Sequence, residues 1–95
     1  MSRKITAEIV RAFENGETLS KSNTRTDGQA IYLHGNKIAE REDGELFISL
    51  AGWNTNTTRE RLNGLRDVRL TTKQGQAYLN GKPITDDGWY KIDRE

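Results

Sequence analysis

The sequence contains no cysteine, which excludes disulfides, thiolate nucleophiles and cysteine-ligated zinc. It has a single histidine, His34, and one unsupported imidazole makes neither a catalytic set nor a metal site. There is one proline, Pro83, which is confined to a sheet edge or to a position outside the ladder. No apolar run approaches the length needed to cross a bilayer. The Met1–Thr6 segment has no apolar core behind its charges, so it does not read as a signal peptide, and the expected compartment is the cytoplasm. An excess of charge of one sign is also lacking. Lys and Arg number 15 against 14 Asp and Glu, a net charge of +1. Residues 1–50 carry 7 basic and 8 acidic side chains, and residues 51–95 carry 8 and 6. Neither half has the basic footprint of a dedicated nucleic-acid binder.

What remains is a 95-residue chain of 33% hydrophobic and 31% charged residues. That length makes a single domain, residues 1–95, with a modest core. The apolar residues are few but regularly spaced, which argues for a folded chain. One stretch organises the pattern, Gly28-Gln29-Ala30-Ile31-Tyr32-Leu33-His34-Gly35-Asn36-Lys37-Ile38. It returns one residue shorter as Gly75-Gln76-Ala77-Tyr78-Leu79-Asn80-Gly81-Lys82-Pro83-Ile84. Each copy runs on through Asp-Gly into a further apolar strand, at Leu46–Ile48 and Trp89–Ile92. Each is preceded by a helical segment closing at Asn15-Gly16 or Asn63-Gly64. The expected fold class is therefore α+β: a small antiparallel sheet of short strands with two short helices on one side. The echo fits either two related helix–meander halves or hairpins that reuse the same turn chemistry.

In chain order, Thr6 reads as the cap of a helix ending near Asn15, with Ile5 stapled on Val10. Residues 18–26 are Thr-rich and poor in apolar side chains, so they read as an edge or exposed strand. Ala30–His34 alternates as a strand, and Gly35-Asn36 reads as its two-residue turn. Leu46, Ile48 and Leu50 give the clearest strand pattern. Thr57 with Glu60 three residues on reads as a capping box opening a second helix. Val68 and Leu70, then Ala77–Leu79, make a hairpin, Asn80-Gly81 the next turn, and Trp89–Ile92 the closing strand. The tail Asp93-Arg94-Glu95 is expected to fray. The expected core is Ile9, Val10, Phe13, Ile31, Leu33, Ile38, Leu46, Ile48, Leu50, Leu62, Val68, Leu70, Leu79, Ile84 and Ile92.

No catalytic constellation can be assembled, so a non-enzyme is expected, without catalytic residues, metal or cofactor. Asp43, Asp86 and Asp87 could be paired carboxylates, but each lies in an Asp/Gly turn where the side chain serves the local backbone. The candidate binding residues are Trp53, Asn54, Thr57, Thr58, Arg59 and Arg61. They join an indole, hydroxyls, an amide and two guanidinium groups to a helix start, a composition suited to an anion or to an interface hot spot. The plainer reading puts Trp53 in the core and uses the Thr and Asn residues as caps. Asn54–Gly64 is similar to the recognition helix of lactose-repressor-type regulators, but residues 45–50 read as strand where such proteins have their first helix.

In combination, Asn23-Thr24-Arg25, Leu33–Ala39, Gly52–Asn63 and Gly75–Gly81 resemble a group of short uncharacterised proteins of tailed bacteriophages. The resemblance spans residues 23–81 and implies a phage origin and a place in the host cytoplasm. It brings no activity and no assigned residues. The expected function is a non-enzymatic phage accessory protein that binds a host macromolecule, first a host protein. The alternatives are a DNA- or nucleotide-binding module using Trp53–Asn63, and a minor virion or assembly component. No membrane partner is expected, and the oligomeric state is left open.

Overall fold

The computed structural model describes residues 2–93. Helix α1 (Ser2–Glu14) leads into the first five strands of a six-stranded antiparallel sheet, β1 (Leu19–Lys21), β2 (Thr24–Thr26), β3 (Ala30–Leu33), β4 (Asn36–Glu42) and β5 (Glu45–Ile48). Helix α2 (Asn56–Asn63) then opens a three-stranded sheet of β6 (Leu70–Lys73), β7 (Gln76–Leu79) and β8 (Lys82–Ile84). The last strand, β9 (Tyr90–Ile92), leaves that second sheet and pairs with β5, so the large sheet has the order β1-β2-β3-β4-β5-β9. The architecture is α+β, as the alternation and turn pattern indicate. The tail residues Arg94 and Glu95 lie outside the described residues.

The two related stretches fold alike. Strands β2-β3-β4 and β6-β7-β8 are matching meanders, with Thr24 opposite Leu33 in the first and Leu70 opposite Leu79 in the second. The His34 N–H donates to the Asn23 carbonyl and the Asn80 N–H to the Arg69 carbonyl, both at 2.8 Å. The Gln29 and Gln76 side-chain amides each reach across to a carbonyl of the following strand, Arg41 and Ile84 respectively, both at 2.7 Å. The two-residue turns share one left-handed geometry. His34-Gly35 has φ of 53° and 83°, and Asn80-Gly81 has 51° and 88°. This is the turn whose twist matches that of the flanking strands. It also corrects the expected boundary: His34 lies in the turn, not on the strand, and Asn36 opens β4 opposite Leu33.

Helix α1 starts earlier than its Thr signal. Thr6 is therefore not a cap but a mid-helix residue, 6% exposed, facing the second helix. Residues 18–26 form a hairpin, and only β1 is an edge. Strand β2 is interior, and Thr24 and Thr26 are each 1% exposed beneath α1. The core joins Ile9 and Phe13 of α1, Leu62 of α2, and Ile31, Leu33, Ile38, Leu46, Ile48 and Ile92 of the large sheet to Leu70, Ala77, Leu79 and Ile84 of the small one. Val10 packs on this cluster from a half-buried position. A shift of register between Ile31 and Tyr32 turns both Ile38 and Ala39 inward and leaves Lys37 and Glu40 on the outer face. This is the signature of a β-bulge.

Candidate functional site

The segment after β5 leaves the sheet through Ala51-Gly52, a left-handed pair with φ of 56° and 84°. The Gly52 N–H donates to the Asp86 carbonyl at 2.7 Å, so the loop carrying Trp53 is tied to the loop carrying Trp89. Helix α2 then begins at Asn56. Its cap is Thr55, not Thr57: the Thr55 hydroxyl oxygen accepts from the Thr58 N–H at 3.2 Å. Both residues offer the same chemistry, but Thr55 has the extended backbone a cap requires, with φ −112° and ψ 162°. Thr58 then occupies the position that the expected capping box gave to Glu60.

The six candidate residues divide into two groups. Trp53 is 60% exposed, which overturns the core reading of its indole. Asn54, Thr57 and Arg59 are half-buried beside it. The Arg59 guanidinium donates to the Asn54 side-chain oxygen and, at 2.5 Å, to that of Asn56, so it is folded back on its own loop. Thr58 and Arg61 are both enclosed, but on different sides of the helix start. Thr58 is 1% exposed and its hydroxyl shares a hydrogen bond with Thr55 at 3.0 Å. Arg61 is 3% exposed, donates from Nε to the Thr24 hydroxyl at 2.8 Å and from Nη1 to the Thr6 hydroxyl at 2.9 Å, and lies 3.5 Å from a Glu60 carboxylate oxygen. Arg61 joins α2 to α1 and β2 and is spent inside the protein, whereas Thr58 stays with its cap, Thr55, on the Trp53 side.

Beside Trp53 lies a groove of about 450 Å³ between the β3–β4 turn and the start of α2. Leu33, Ile38, Leu50 and Ala51 form its apolar floor, and His34, Asn36, Thr55 and Thr57 its polar margin. Thr58 also lines it. Sequence reasoning singles out Trp53, Thr57 and Thr58 here but misses the wall contributed by the β3–β4 turn. The signal was the shared turn motif, read for fold alone. On the outer face of the large sheet, Trp89 is 47% exposed and lines a shallow hollow with Lys37, Glu40, Glu42 and Phe47. In the same outer row, the Arg25 guanidinium stacks 4.0 Å from the Tyr32 ring centroid. Among the described residues, no group of three or more His, Asp or Glu side chains could hold a metal ion, and no helix is long and apolar enough to cross a membrane.

Fold and site together define a small α+β protein with one buried apolar cluster between helices and sheets and two indoles on linked, exposed loops. The chain belongs to the Kyanoviridae Gp96 protein family, a family of phage proteins, whose family model matches residues 2–94. No curated protein and no solved structure matches the chain.

Proposed function

We propose that this phage protein works by contact: it binds a host protein in the cytoplasm of the infected cell, and no bond-making chemistry is involved. One observation carries the reading. A chain with only 33% hydrophobic residues leaves both of its tryptophans, Trp53 and Trp89, outside the core, at 60% and 47% exposure. Burying an indole in a core this sparse would add about 2 kcal/mol or more of transfer free energy. Leaving two of them in solvent gives up that stability, and exposed Trp is the side chain most enriched at interface hot spots. The Gly52–Asp86 hydrogen bond fixes the two loops to one another, which lowers the ordering cost of docking.

The two arginines of the Trp53–Asn63 segment argue against that segment as a nucleic-acid reader and so favour a protein as partner. A phosphate-reading surface needs guanidinium groups presented to solvent. Arg61 is enclosed and Arg59 is bound to Asn54 and Asn56. The test uses the full chain as bait in host lysate, with Trp53→Ala and Trp89→Ala baits beside it, read by mass spectrometry. The expected result is a host protein recovered by the parent chain and lost with at least one indole, whose purified form then binds the parent directly. Recovery that is the same with all three baits, or no recovery above background, overturns the reading.

A further inference from the structure

The groove beside Trp53 differs in one respect from the four other hollows described among residues 2–93. None of its ten lining residues is Asp, Glu, Lys or Arg. In a chain that is 31% charged, about three of ten would be expected by composition. The other described hollows each contain charged side chains, for example Arg59 and Glu60 in one and Arg41, Glu45 and Lys91 in another. The absence is local and has structural causes. The two cations of α2 nearest in sequence are directed elsewhere, Arg59 to the loop amides and Arg61 to the interior. Lys37 lies on the outer face of the sheet, held by Glu40 at 2.5 Å.

Resting on the protein-binding reading above, we infer that this groove is an anchor pocket for one bulky, uncharged apolar side chain of the partner, and that it rejects charged groups. The floor of Leu33, Ile38, Leu50 and Ala51 supplies apolar contact, and the Trp53 indole at the rim provides a face to pack against. The margin offers neutral hydrogen-bonding groups, Asn36 and Thr57, suited to the peptide backbone flanking an anchor. A cationic occupant would lose its hydration and meet no carboxylate there, an anionic one would meet only the exposed His34 imidazole at the margin, and the penalty for a buried unpaired charge is large. At about 450 Å³ the groove lies in the size range of sites that enclose a compact organic group.

The test uses three probes of similar shape that differ in charge: 3-methylindole, indole-3-acetate and tryptamine, each titrated into the isotope-labelled full chain by NMR. The expected result is saturable shifts at Leu50, Ala51 and Trp53 with 3-methylindole, and binding at least about tenfold weaker for the anion and the cation. Thr57→Phe, which fills the groove from a half-buried position, abolishes the shifts. Asn36→Asp, on an exposed residue, moves the preference toward tryptamine. Both variants are first shown to keep the parent's amide spectrum elsewhere. Three probes that bind alike, or none that perturbs the groove, overturn the inference. So does a Thr57→Phe bait that loses 3-methylindole but still recovers the host protein at the parent's level. A failure of the parent bait to recover any host protein removes the protein-binding reading and the partner with it. The probe titration still decides the groove's charge selectivity.

Discussion

Arg61 Nη1 donates to the Thr6 hydroxyl at 2.9 Å, a contact that spans 55 positions and ties the second helix to the first. Its Nε donates to the Thr24 hydroxyl at 2.8 Å, so one guanidinium binds α1, α2 and β2 together. The helices approach closely at this point: a Cβ built on Gly64, which ends α2, would stand 2.4 Å from the Thr6 Cγ2. Replacing Arg61 by Ala removes the planar donor fork and leaves the two Thr hydroxyls and the adjacent Glu60 without it. A loss of about 3 kcal/mol is expected, read as a lowered midpoint in urea with an unchanged slope. Arg61→Met, which keeps bulk and removes the buried charge, should lose less than Arg61→Ala. The reverse order would show that the enclosed space beside Thr6 and Thr24 does not accept an unbranched apolar chain, so that bulk alone is not what the position supplies.

Trp53 gives the opposite expectation. With 60% of its surface in solvent, Trp53→Ala should change stability by no more than about 0.5 kcal/mol. The same substitution should weaken partner binding about tenfold or more, as truncation of an interface anchor does. Thermal unfolding and a binding titration on one preparation check both. A drop of several kcal/mol would place the indole in the core after all.

The course of the chain was legible where its signal is local. Leu46 and Ile48 alternate with polar neighbours and face inward as the pleat requires, and the Asn80-Gly81 pair turns where its φ preference dictates. The errors have physical sources. His34 is an unusual first residue for a left-handed turn, so the strand was read one residue too long. Thr55 and Thr57 are equally good caps by chemistry, and only backbone direction separates them. Arg61 was read as a ligand-binding group because charge is ordinarily solvated. Its burial depends on hydroxyls from residues 6 and 24, which no local pattern connects to it. The pairing of β9 with β5 is also non-local, although Trp89–Ile92 reads clearly as a strand.

Gly28 tests how closely the β2–β3 turn approaches the turn that follows α1. Its φ is +87°, and a Cβ there would lie 2.6 Å from both the carbonyl carbon and the oxygen of Gly16. Backbone atoms cannot move aside as a flexible side chain can. Gly44 has a similar φ of +80° but nothing within 4 Å. Gly44→Ala should therefore lose only the conformational term, about 1 kcal/mol. Gly28→Ala should lose that and the clash, about 3 kcal/mol in all, by the usual cost of overpacking. Equal losses in denaturant titrations would mean that the turn after α1 gives way more easily than its contacts indicate.

Asp27 supplies a pH dependence whose sign follows from its hydrogen bonds. The Gln29 and Ala30 N–H groups both donate to one Asp27 carboxylate oxygen at 2.9 Å. These bonds favour the ionised form and hold its pKa below the ordinary carboxylate value, with Arg25 adding a smaller charge effect in the same direction. A carboxyl whose pKa is lowered by folding contributes stability above its unfolded pKa and loses it as pH falls through the folded one. The contribution should be intact at pH 7 and fade below about pH 4, where carboxylates titrate. The side chain is exposed, so the effect is modest. Asp27→Asn keeps an oxygen to accept the same two bonds but cannot titrate. The parent should therefore lose stability more steeply than the variant between about pH 4 and pH 2. Parallel acid limbs for the two proteins would show that the turn at residues 27–30 takes no part in acid unfolding.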